Sequence, residues 1–260
     1  YLLQSTLYFQ EIVKIKKALE KEGVDFLFLK GLPLHLYFEK THPRRMYADC
    51  DILVAKKYFL KTKKILEELD YKKVNTSLSE SLHKLRDKES EENFYKILHG
   101  FPVVFDIHLE IVFMMTQLGK LEALYPQALI DGLSNQFLKE RQVVRVQNED
   151  FTILSLDNLF IYLCLHLFHH NYKGAHRYEL IDQIVRNNKL DYNYISLRIN
   201  GYKLQNFIYP CLLILKEYYG INFPRDFLKP IEPRRNKLHF IIEVVTDLNL
   251  FDGEERIKSG

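Results

Sequence analysis

No CxxC pair occurs in this sequence. Its three cysteines, Cys50, Cys164 and Cys211, stand far apart, each in an apolar stretch. An odd, scattered set excludes a disulfide framework and predicts buried thiols in a reducing cytoplasm. A long hydrophobic run is also missing, so no segment is expected to span a bilayer. The first residues lack the basic, apolar and small-residue order of a signal peptide. Strong charge is absent as well: the formal net charge is only +3. That excess is too mild to indicate a nucleic-acid binder by electrostatics alone, and it is compatible with a cleft for an anionic small molecule. Repeats and low-complexity tracts are lacking. The chain opens on Tyr1 and closes on a polar ERIKSG, which reads as a piece of a longer protein.

What is present suffices for a folded protein. Of 260 residues, 47% are apolar and 27% charged, enough to bury a core in one large or two modest domains. Helical periodicity runs through residues 4–22, with Leu7, Ile12, Ile15 and Leu19 on one stripe and Gly23 as the stop. VDFLFLKG reads as a buried strand closed by a Lys30-Gly31 turn. LPLHLYFEK reads as a helix that tolerates Pro33 in its first turn. A loop, THPRRMYA, leads to a second strand, DCDILV. An amphipathic helix follows over 56–69, then strands at 71–75 and 94–98. Residues 76–90 fit helix or loop equally. VVFDIHLEI, residues 103–111, alternates strictly, with Asp106, His108 and Glu110 on the face opposite Val103, Phe105 and Ile107. After β-like RQVVRV (141–146) and FTIL (151–154) the pattern is mostly helical, with the change from α/β falling near 112–150.

Asp49 and Asp51 stand two apart on a strand and so share a face, with Cys50, Ile52 and Val54 on the other. Two carboxylates this close repel unless a cation lies between them. Mg²⁺ prefers such oxygen ligands, and a metal pair can clamp the attacking and leaving oxygens of a phosphoryl transfer. Asp106, which interrupts an apolar strand, is the candidate third carboxylate. An isolated DxD is more often a cap or turn device. Here, however, the strand, Lys-Gly turn and helix upstream supply an anion site at a helix start.

Together, FLFLKGLPLHLYF, RRMYADCDILV and VVFDIHLEI resemble the uncharacterised nucleotidyltransferase family of the DNA polymerase beta-like superfamily. The helical segment LSLDNLFIYLCLHLFHH…YELIDQIV is similar to that branch too, so the resemblance spans roughly residues 20–190. It implies an α+β fold: a polymerase-beta-like mixed sheet with flanking helices over 1–115, then a mainly helical domain over 116–260. It implies transfer of a nucleoside monophosphate from a nucleoside triphosphate, ATP among the candidates, to an acceptor hydroxyl, with release of pyrophosphate. Asp49, Asp51 and Asp106 would hold two Mg²⁺ ions and carry catalysis. Lys30, Gly31, Arg44, Arg45 and His108 would bind the nucleotide. The serine usual after the glycine is Leu32 here, which leaves Lys30 as the charge available to the phosphates.

Two other readings stay open. One is a catalytically weak nucleotide-binding or protein-interaction module on the same fold. The other is a hydrolase with a transition metal on His166 and His170, which are i and i+4 on a helix; His166 packed in the helical half against Asp182 is the simpler account. The acceptor (small molecule, protein or RNA), the base and the oligomeric state are not encoded in any motif, and no membrane association is expected.

Overall fold

The computed structural model describes residues 2–39, 49–74, 91–111 and 125–246. The segment 76–90, which the sequence left between helix and loop, lies outside them. The chain divides into two compact units, 1–155 and 156–260. The division therefore falls after Ser155, not after 115 as the sequence pattern indicated. The reason is the hairpin β6 (Arg141–Val146) and β7 (Glu149–Leu154), which joins the sheet of the first unit through β7.

The first unit opens with helix α1 (Leu2–Lys21), whose Ile12, Ile15 and Leu19 are fully buried, as the apolar stripe requires. Strand β1 (Phe26–Lys30), helix α2 (Leu32–Glu39) and strand β2 (Cys50–Val54) follow in the expected order. A single 3-10 turn (Lys56–Tyr58) leads into α3 (Phe59–Glu68), and β3 is only Lys72–Lys73. The long strands β4 (Glu91–Leu98) and β5 (Phe101–His108) form a hairpin, with α4 (Gln127–Lys139) after them. His99 (φ 49°) and Gly100 (φ 83°) make its two-residue loop. Left-handed backbone at both central positions matches the twist of the paired strands.

These strands form one seven-stranded mixed sheet in the order β3-β4-β5-β2-β1-β7-β6. The two central contacts of β2 differ: it runs antiparallel to β1 and parallel to β5. Every residue of β2 is buried, so this strand is covered on both faces. Aromatic packing fills the sheet interior; Phe28 and Phe151 meet edge to face at 5.2 Å, and Tyr71 and Phe105 at 5.4 Å.

In the second unit the described elements are helices: α5 (Leu156–His169), α6 (His176–Asn187), α7 (Tyr192–Gly201), α8 (Gln205–Tyr219), α9 (Arg225–Ile231) and α10 (Arg235–Thr246). Helix α5 is mostly apolar and buries every residue from Asn158 to Leu165, as a central helix requires, and it packs against α6, α7 and α8. Asp191 caps α7 by accepting from the Asn193 and Tyr194 amides. Cys164 and Cys211 are buried free thiols, as expected from their apolar surroundings, and so is Cys50 in the sheet.

Candidate active site: a polar row across four strands

Strand pairing places one polar residue from each of four adjacent strands in a single row. Lys30 of β1 is opposite Asp51 of β2, Asp51 is opposite Asp106 of β5, and Asp106 is opposite Asn93 of β4. Asp49 lies one residue before β2. Its carboxylate is 42% exposed, against 2% for that of Asp51. Lys30 Nζ is 3.0 Å from Asp51 Oδ2 and 4.0 Å from Asp49 Oδ2, so the two aspartates share a side as the spacing predicted. The contact with Asp51 Oδ2 is an ion pair without hydrogen-bond alignment. His108 Nε2 is 2.9 Å from Asp51 Oδ1, and His108 Nδ1 lies 3.4 Å from Glu91 Oε2. Asn93 Nδ2 donates to Asp106 Oδ1 at 2.6 Å.

Carboxylates opposite one another on neighbouring strands destabilise each other, and the two aspartates of the row resolve this conflict differently. Burial alone would raise the Asp51 pKa. The His108 hydrogen bond and the Lys30 charge outweigh burial and hold it below the usual carboxylate value. Asp106 gains less. Burial first, then the charges of Asp51 and Asp49, push it up to about 7. Lys30 and His108 are both raised, because their carboxylate neighbours outweigh the opposing effect of burial. The row therefore holds one firmly ionised carboxylate beside another that changes charge near neutral pH, the property a general base needs.

Gly31 joins this row to α2. Its φ of 101° is left-handed, and a Cβ there would meet the Asp49 carbonyl oxygen and Cys50 Cα at 3.4 Å. Glycine lets the turn lie against the start of β2. A β-bulge between Phe28 and Lys30 sets the end of β1 so that Lys30 pairs with Asp51.

Of the residues singled out in the sequence, Lys30, Gly31, Asp49, Asp51, Asp106 and His108 come together here. Arg44 and Arg45 lie outside the described residues. Asn93 and Glu91 were not foreseen, since the strand expected at 94–98 starts instead at Glu91. The signal was present in the His99-Gly100 turn: a two-residue loop pairs Leu98 with Phe101, and counting outward sets Asn93 opposite Asp106 and Glu91 opposite His108. Glu110, on the same alternating face, belongs elsewhere; it is buried and accepts from Lys56 and Gln127.

The all-oxygen set of Asp49, Asp51 and Asp106 suits a hard divalent ion. Two observations fit one: Asp51 Oδ2 is buried and lacks an aligned hydrogen-bond donor, and Asp106 is destabilised as an anion by burial and then by its neighbours' charges. In the present arrangement the Lys30 ammonium supplies that positive charge. Among the described residues, no three His, Cys, Asp or Glu side chains are gathered as a ready metal site. That includes the helical unit, where the His166 and His170 rings meet edge to face at 4.5 Å. Asp182 is engaged by Arg186, whose Nε donates to it at 2.6 Å. Among the described residues no helix is long and apolar enough to cross a membrane.

A comparison with curated proteins finds no match. A family model described as uncharacterised nucleotidyltransferase matches residues 2–220, which takes in the whole polar row and the helical segment through α8. With that match over most of its length, the chain belongs to the uncharacterised nucleotidyltransferase family.

Proposed function

We propose that this protein transfers a nucleoside monophosphate from a nucleoside triphosphate to an acceptor hydroxyl. The observation that carries the reading is the cross-sheet row, in which ionised Asp51 lies between Lys30 and Asp106. The acceptor oxygen attacks the α-phosphorus, a P–O bond forms there, and the bond to the β-phosphate's bridging oxygen breaks to release pyrophosphate. Asp106, opposite Asp51 in the row, accepts the acceptor's proton. His108 holds Asp51 through Oδ1, and Glu91 favours the protonated imidazole. Lys30 and the start of α2 beyond Gly31 offer positive charge and backbone amides to the triphosphate. Arg44 and Arg45, which precede Asp49 in the sequence, would add positive charge for the phosphates. Asp49, Asp51 and Asp106 would hold Mg²⁺, which when bound supplies Lewis-acid stabilisation of the phosphoryl oxygens. The direct test incubates the full chain with each nucleoside triphosphate, Mg²⁺ and candidate hydroxyl acceptors, and measures pyrophosphate. Release that disappears in Asp51→Asn and Asp106→Asn is expected; no release with any nucleotide would defeat the proposal.

Two observations favour a second reading, a nucleotide-binding module with weak turnover. Lys30 already neutralises Asp51 and Asp49, and Leu32 occupies the place of the phosphate-binding serine. Nucleotide binding without pyrophosphate release would select it.

A further inference from the structure

The position of Lys30 has a consequence for how this site takes up a metal. Its Nζ lies 3.0 Å from Asp51 Oδ2 and 4.0 Å from Asp49 Oδ2. These are the oxygens that the nucleotidyl-transfer reading assigns to the divalent ion. Asp51 has no second set to offer, because Oδ1 is committed to His108 and the side chain is 2% exposed. An ammonium and a metal ion drawn to the same buried oxygen repel each other strongly at such distances. We infer that Lys30 is a resident counter-ion that holds the metal's place, so that divalent-cation binding and departure of the Lys30 ammonium are one event. The inference rests on the proposed reaction and specifies how its site is regulated.

Lys30 is built to leave. It is the last residue of β1, just past a bulge, and Gly31 follows it in left-handed backbone. Its side chain is 23% exposed, so it has a way out that Asp51 lacks. The departing ammonium needs a new anion, and the triphosphate supplies one. By linkage, a nucleotide that takes up Lys30 raises metal affinity, and metal raises nucleotide affinity by the same factor. The free protein thereby keeps weak affinity for divalent ions and acquires strong affinity only with substrate present.

The test is a Mn²⁺ titration of the metal-free full chain followed by electron paramagnetic resonance, with wild type, Lys30→Met and Lys30→Arg. Removing the competitor is expected to tighten Mn²⁺ binding at least about tenfold in Lys30→Met, while Lys30→Arg stays within about threefold of wild type. A second measurement needs no variant: the acylation rate of the Lys30 amine, read by mass spectrometry, should rise several-fold when Mg²⁺ is added to wild type. Equal Mn²⁺ affinities for wild type and Lys30→Met overturn the inference and leave the transfer reaction standing. No Mn²⁺ binding by any of the three overturns both. If Lys30→Met does not fold, the labelling decides alone, and a rate indifferent to Mg²⁺ overturns the inference.

Discussion

The two units of this chain treat buried charge in opposite ways. In the sheet unit, Glu11, Lys16, Asp51, Glu92, His108 and Glu110 are all buried. Among the described residues of the helical unit, the buried polar side chains are Asn158 and Ser196, and neither carries charge. Burying a charge is costly unless it is paired, and most of the sheet unit's buried charges are paired in an ordinary structural manner. Glu11 accepts from Tyr71 at 2.8 Å with Lys96 nearby, and Glu92 accepts from Lys73 at 2.6 Å. The Asp51–Asp106 pair is different in kind. It sets two carboxylates opposite each other at the centre of the sheet, and burial, then the charges of Asp51 and Asp49, push Asp106 up to about 7. Among its described residues the helical unit, stabilised by apolar burial, has no such conflict. The sheet unit maintains one, in the row on which the proposed transfer reaction rests.

The sharpest way to break this contrast is to remove one charge from the row. Asp106→Asn is expected to lower pyrophosphate release by roughly 10²–10⁴-fold, the span of a lost general base, with the fold intact by circular dichroism. Retained turnover would make the row a structural device like the Glu11 network. In the helical unit the large effects should be on stability. Phe160 is fully buried in α5, so Phe160→Ala should cost about 3–5 kcal/mol in urea unfolding and leave the Mn²⁺ affinity of the folded protein unchanged.

An intermediate effect belongs to His108, whose Nε2 lies 2.9 Å from Asp51 Oδ1. His108→Gln should reduce kcat and metal affinity by about 10–100-fold, with KM for the acceptor little changed. A loss confined to KM would place the residue in acceptor binding instead.

The pH dependence of the metal-free protein gives a smaller, signed effect. Asp106 sits at about 7 when folded, above roughly 4 in an unfolded chain. Between these values the folded state binds more protons, so this group's contribution to stability falls as pH rises from about 4 to about 7. Asp106→Asn should remove that decline, gaining on wild type in urea midpoint as pH is raised through that window. Parallel curves would show that Asp106 is not crowded by its neighbours. At the bottom of the scale, Leu197 is 74% exposed on α7, and Leu197→Ala should shift stability by no more than about 0.5 kcal/mol.

Much of the site was readable before any fold was known, for local reasons. Period-2 spacing put Asp49 and Asp51 on one side, and the interrupted apolar run singled out Asp106. The Lys-Gly turn marked the end of β1. What stayed hidden were relations between strands. Asn93 and Glu91 carry no motif and matter because the hairpin sets them opposite Asp106 and His108. The β6–β7 hairpin was visible as two β-like stretches, but its place beside β1 was not, and the domain boundary moved with it.

The sequence by itself determined the elements and the residue types of the site, because apolar period and turn chemistry act over a few neighbouring residues. The tertiary structure alone decided that Lys30 would face Asp51, that Asp51 would be anchored while Asp106 stays near neutrality, and that β2 would be covered on both sides. Those outcomes depend on strand order and register, which are set by burial and pairing across the whole sheet. No local stretch of chain contains that information.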